Sequence, residues 1–132
     1  MLGDIEPQEL GRTLTHEHLS MDFWLAPEDA SEAPWELKNL YEIQRWPYQH
    51  HDNAVLNDAS SEAAVIDSVA LFKSAGGGCL VDNSTLGLKR KTGFLRDVSK
   101  ATGVHVVAGT GFYVDQYINK VKYHRLCRCC EW

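Results

Sequence analysis

Long apolar runs are missing from this sequence. No stretch approaches the ~20 consecutive apolar residues that a membrane-spanning helix needs, so a membrane partner is not expected. Positive charge is also in short supply. Thirteen Lys and Arg against eighteen Asp and Glu leave a formal charge of −5, which gives a general nucleic-acid role no electrostatic footing. The opening residues, Met1-Leu2-Gly3-Asp4-Ile5-Glu6, lack the basic segment and apolar core of a secretion signal. A cytoplasmic, reducing setting is the resulting expectation.

Cysteine is sparse until the end, where Cys127, Cys129 and Cys130 make up three of the four. The segment from Gln116 to Trp132 also carries four basic residues and one acidic one. With −5 for the whole chain, residues 1–115 therefore hold −8 against +3 in the tail. This shift in composition marks a boundary: a folded unit over residues 1–115 and a basic, Cys-rich, irregular tail over 116–132. His124, Cys127, Cys129 and Cys130 supply nominal zinc ligands. They are crowded together without the paired, loop-separated spacing of a structural site, and an oxidation-prone, disordered tail is the simpler expectation.

What the rest of the chain does contain is organised around Thr13-Leu14-Thr15-His16-Glu17-His18. In a strand, side chains alternate faces, which puts His16 and His18 on one side about 7 Å apart along the chain. Leu14 falls on the same face by this count, with Thr13, Thr15 and Glu17 opposite. Two imidazoles so placed can share a metal ion. His-x-His alone also describes a pair of surface histidines, and context has to separate the two.

The chain has 132 residues, 44% of them hydrophobic, enough for one modest core. After a strand over residues 12–18, an irregular stretch from about Ser20 to Ala59 holds three prolines and aromatic residues that include Trp24, Trp35, Tyr41 and Trp46. One short helix fits near Leu37 to Gln44. A long aromatic loop is uncommon without a function, so this one is a candidate cover for a site. Ser60 to Ala75 reads as a helix, capped by Ser60 or Ser61, with Val65, Ile66, Val69 and Phe72 on one face. Gly76-Gly77-Gly78 stops it. Cys79-Leu80-Val81 reads as a buried strand and runs into the polar segment Asp82-Asn83-Ser84-Thr85. A second helix over Thr92 to Ala101 follows, with Phe94, Leu95, Val98 and Ala101 as its stripe and Gly103 closing it. Val104 to Ala108 reads as another buried strand.

Strands alternating with helices indicate βαβ units and a parallel sheet. Right-handed crossovers put the strand C-terminal ends on one side. His16, His18, residues 82–85 and Tyr113 gather on that rim, where α/β barrels place their active sites. Other residues have plainer readings. His105 is expected to be a packed strand residue, His50 and His51 solvated, Glu17 structural, and Cys79 a small apolar residue. Asp82 and Asp115 sit at the right end for a site, and each can equally cap a loop.

At this point three segments, in order, resemble the phosphotriesterase family of the amidohydrolase superfamily. Gly11 to His18 is similar to its first strand, Ala75 to Thr85 to its second, and Thr102 to Tyr113 to its third. Lys38-Asn39-Leu40 is similar to a loop segment of the family's animal, phosphotriesterase-related branch. The resemblance implies a (β/α)₈ TIM barrel with two divalent metals, usually zinc, at the C-terminal rim. His16 and His18 take the place of ligands to the more buried metal, and Tyr113 that of an aromatic lining the substrate pocket. It further implies hydrolysis of a small-molecule phosphoester, lactone or N-acyl amide such as N-acetyltaurine, by a metal-activated hydroxide. The family's bridging carboxylate, two later histidines and an aspartate come from strands beyond the third. A full barrel takes about 250 residues. The expectation is therefore the N-terminal portion of such a barrel, about three strands, holding at most one metal weakly. The alternative is a non-catalytic truncated form acting only as an interaction module.

Overall fold

The computed structural model describes residues 2–25 and 28–114. The tail of residues 116–132, its candidate ligands and Asp115 lie outside the described residues. Three strands, β1 (Arg12–Glu17), β4 (Gly77–Asp82) and β5 (His105–Ala108), form a parallel sheet in the order β1-β4-β5. Helix α3 (Ala59–Ser74) leads into β4, and α4 (Thr92–Thr102) crosses from β4 to β5. The α/β organisation read from the sequence is thus present, with three neighbouring strands in chain order.

Asp58 starts α3. Its carboxylate accepts hydrogen bonds from the backbone N–H of Ser60 at 2.8 Å and of Ser61 at 2.9 Å. The Ser60 and Ser61 hydroxyls donate to the same carboxylate. The cap is therefore two to three residues earlier than expected, and the two serines are its donors. An ionised cap also gains from the helix dipole in a way that a hydroxyl does not. The Ser61 amide, followed by the serine hydroxyls, holds the Asp58 carboxyl well below the usual carboxylate range.

Val69, Leu80, Leu95, Val98, Val104 and Val106 form the core with Leu19, and Val65, Ile66, Phe72 and Phe94 pack against it. Full burial of each large apolar side chain contributes about 1.5–3 kcal/mol. On α4 the inward stripe is Phe94, Leu95 and Val98, continued by Ser99 rather than Ala101, which is exposed. Ser99 can be buried because its hydroxyl donates to the Val104 carbonyl at 2.7 Å. Gly103 ends α4 in the left-handed region, with φ of 67°.

The glycine run does more than stop α3. Gly76 takes a positive φ, but Gly77 and Gly78 already belong to β4, two residues before the expected strand start. A Cβ on Gly78 would lie 2.1 Å from the Leu10 carbonyl oxygen, and one on Gly77 would lie 2.3 Å from the Phe72 ring. Close approach of β1's lead-in to β4 requires a residue without a side chain at position 78. At the far edge of the described strands, β5 is only half covered, since Val106 is buried and Val107 exposed. Edge position, which periodicity cannot reveal, accounts for the difference from a strand buried on both faces.

The stretch from Ser20 to Ala59 is an organised excursion. Strands β2 (Met21–Asp22) and β3 (Val55–Leu56) pair antiparallel at its base. Between them stand the short helices α1 (Leu40–Arg45) and α2 (His51–Ala54). Ile43 and Ala54 are buried inside the excursion, and so is His50, against the expectation of a solvated residue; His51 is exposed as expected. The reason is local: the backbones of Ser31 and Gln49 bond at 2.8 Å and draw His50 inward, toward Glu42. Among the described residues, no helix is long and apolar enough to cross a membrane.

Two outcomes test this account. Gly78→Ala should lower unfolding stability in chemical denaturation by about 1–3 kcal/mol or more, because the clash is with backbone; an unchanged midpoint would sink the close-approach explanation. The Asp58 cap, with its folded-state pKa depressed, contributes stability that is present above the ordinary value of 3.8 and is lost as pH falls through the depressed one. Asp58→Ala should therefore destabilise the protein at neutral pH and flatten the acid limb of its stability–pH profile.

Candidate metal-binding rim

β1 carries two register slips against β4. Arg12 stands opposite Gly77 and Thr13 opposite Cys79, whereas Leu14 faces Leu80 and Glu17 faces Asp82. Between Leu14 and Glu17 one extra β1 residue is accommodated, a bulge of the kind that re-aims side chains beside active sites. Strict alternation therefore does not carry through from Leu14 to His16, and Leu14 cannot be assigned to the histidine face by counting. The histidines themselves stay together. Their ring centroids are 5.5 Å apart with the planes at 71°. His16 is exposed and His18 half-buried.

What holds His18 in place comes from the segment after β4. Asp82 is fully buried, and its two carboxylate oxygens accept from the backbone N–H of Leu19 at 2.7 Å and of Ser84 at 2.9 Å. Its own carbonyl accepts from the Gly109 N–H just past β5. Asn83 adds two links to β1, donating its backbone N–H to the Glu17 carbonyl at 2.8 Å and its side-chain amide to the Thr15 carbonyl at 3.1 Å. The ends of all three strands are thereby stitched together. In this setting the Ser84 hydroxyl, itself buried, lies 3.0 Å from His18 Nδ1.

The sequence reading placed Asp82 and residues 82–85 at the right end of the sheet, and the structure gives Asp82 the loop-capping role. The partnership of Ser84 with His18 was missed; nothing in a local motif signals a contact across 66 positions. Tyr113 follows β5 at the same end of the sheet and is exposed. Glu17 ends β1 half-buried, and its backbone carbonyl accepts the Asn83 N–H. His105 opens β5, half-buried, and Cys79 is a buried free thiol.

The donor set available to a metal is two imidazoles, one of them in contact with a hydroxyl. That fits the nitrogen part of a zinc site, whose protein ligands usually number three or four. Among the described residues, no group of three or more His, Cys, Asp or Glu is placed to hold a metal ion. A pocket of about 330 Å³ lies elsewhere, within the excursion, lined by Trp24, Trp35, His50 and His51 among others and not by His16 or His18.

The excursion is tied to the rim by Asp22. Its carboxylate receives the Lys89 ammonium at 2.7 Å, the Trp24 N–H at 3.1 Å and the Asn57 side-chain amide. Burial is the largest single influence and pushes the Asp22 carboxyl up, but Lys89 and the amide donors together outweigh it and hold the pKa below the ordinary value. Lys89 reaches Asp22 from a left-handed backbone conformation, with φ of 53°.

The phosphotriesterase family model matches residues 1–126. The chain is 47% identical over 122 residues to an N-acetyltaurine hydrolase of Danio rerio, covering 87% of this chain and 34% of that protein. The human N-acetyltaurine hydrolase is 45% identical over the same length and coverage. The chain thus spans about a third of the length of these curated relatives. Among solved structures, a resiniferatoxin-binding protein from Rhodobacter sphaeroides aligns with a TM-score of 0.78 and 32% identity, over 90% of this chain and 35% of that one. A phosphotriesterase homology protein from Escherichia coli aligns with a TM-score of 0.57 at 22% identity, over 89% of this chain and 32% of its own, a likeness of fold alone.

Replacing Lys89 with Met should raise the Asp22 pKa, read from its side-chain carboxyl resonance in an NMR titration. An unmoved titration would show that the amide donors alone hold Asp22 down.

Proposed function

This chain belongs to the phosphotriesterase family, as the N-terminal part of an α/β barrel, and on that premise we propose that it carries the first two metal ligands of a small-molecule hydrolase. His16 and His18 are the ligands, and zinc is the metal proposed. The observation that carries the reading is the pairing of two imidazoles with centroids 5.5 Å apart at the C-terminal rim of a parallel sheet. One of the two is already oriented by a buried hydroxyl. A bound zinc ion supplies Lewis acidity and lowers the pKa of a coordinated water. The chain's own part is to hold two nitrogen donors at fixed separation and to brace the rim behind them. Tyr113, at the same end of the sheet, is proposed to line the substrate pocket.

The relatives named N-acetyltaurine hydrolase support a substrate of the small N-acyl amide class, with N-acetyltaurine as the first compound to assay. The same proposal sets the chain in the cytoplasm, where free thiols such as buried Cys79 are the rule. A second reading is favoured by the two-donor set: residues 2–114 hold a metal weakly and do not turn over substrate by themselves. Two ligands leave half of a tetrahedral shell to be filled from outside this group.

Metal content by mass spectrometry tests the site. The purified 132-residue chain should carry measurable zinc, at most one ion per chain, and His16→Ala/His18→Ala should carry none. Equal metal in both, or none in either, overturns the assignment. Release of taurine from N-acetyltaurine by the zinc-loaded chain decides between the two readings, since turnover would remove the second.

A further inference from the structure

We infer that Ser84 is the positioning residue of His18: it accepts a hydrogen bond from Nδ1–H and so leaves Nε2 as the atom presented to a metal. The inference rests on the metal reading above and deepens it. Three observations carry it. Ser84 Oγ lies 3.0 Å from Nδ1, within hydrogen-bond range. Ser84 is fully buried, so its hydroxyl is not exchanged freely for water. Its backbone is pinned, because its N–H donates to Asp82 Oδ1 while Oδ2 of the same carboxylate holds the N–H of Leu19, the residue after His18.

One buried carboxylate therefore sets both the histidine's backbone and the group that meets its ring. The geometry determines which nitrogen is free. Nδ1 is occupied by Ser84, and Nε2 is the remaining lone-pair site. A hydroxyl can donate or accept, and the direction has a chemical consequence. If Ser84 donated to Nδ1, the proton of the neutral imidazole would sit on Nε2 and no lone pair would be available there. If Nδ1–H donates to Ser84, Nε2 is ready to bind. Ligand histidines in metal sites commonly donate their second ring N–H to an outer partner, and loss of that partner typically costs 10–100-fold in metal affinity.

The test reads the tautomer directly and does not depend on activity. The chain is labelled with ¹⁵N-histidine, and the ring nitrogens of His18 are assigned by NMR without metal at about pH 8, above the ordinary histidine pKa of about 6.5. Nδ1–H is expected in the parent chain and in Ser84→Thr, with a shift toward Nε2–H in Ser84→Ala. Zinc titration should show Ser84→Ala weakened about 10–100-fold and Ser84→Thr restored toward the parent. A parent chain with His18 protonated on Nε2 overturns the assignment, even if Ser84→Ala fails to fold. So does a folded Ser84→Ala with unchanged tautomer and affinity. Nδ1–H in the parent, lost in Ser84→Ala, with no zinc bound by either, would support the Ser84–His18 contact and overturn the metal reading alone.

Discussion

The carboxylate of Asp82 is the point on which the rim depends. It is fully buried, and it answers two backbone amides from different strands, one beyond β1 and one beyond β4. Its backbone carbonyl answers a third, from beyond β5. Each buried amide left without an acceptor costs about 1–3 kcal/mol, so a single residue offsets the desolvation of three strand ends. The carboxylate in turn needs those donors, because a buried charge without them is far more costly than a buried amide. Sheet closure and site geometry are thus one problem at this position: the bonds that finish the strands also place His18 and Ser84 face to face.

The rim is reinforced from outside by the excursion between β1 and α3. β2 and β3 close its base, and the Asp22–Lys89 pair joins that base to the loop after β4. Lys91 repeats the device one step on, bonding to Glu62 at 2.7 Å and to the Asn57 carbonyl. Exposed ion pairs contribute little by themselves. Asp22 is the more protected of these carboxylates and carries three donors, so its pair with Lys89 has the better claim to a structural role. The segment that reads in sequence as a possible cover is braced at its base and holds its own pocket, whose lining does not include His16 or His18.

Much of the fold was legible. Apolar spacing located α3 and α4 to within a residue or two, and Gly103 marked the end of α4 as glycine's tolerance of positive φ predicts. The parallel order followed from alternation of element types. His-x-His was legible as a candidate site because its geometry is local. Illegible features share a different property: each depends on a neighbour remote in sequence. Gly78 is required by Leu10, His50 is buried by the Ser31–Gln49 contact, and Val107 is exposed because β5 is an edge among the described strands. The N-cap was misplaced for a smaller reason: Asp58, Ser60 and Ser61 are all good caps, and local preference does not rank them decisively.

By itself, the sequence determined the types and order of β1, α3, β4, α4 and β5 and the pair of histidines two residues apart, since periodicity, capping and turn chemistry act over a few residues. Only the tertiary structure decided that β1 bulges between Leu14 and Glu17, around His16, that Asp82 ties the strand ends together, and that Ser84 meets His18. Those outcomes depend on register between strands more than sixty residues apart. Register is set by packing and close backbone approach across the sheet, quantities that no local pattern encodes.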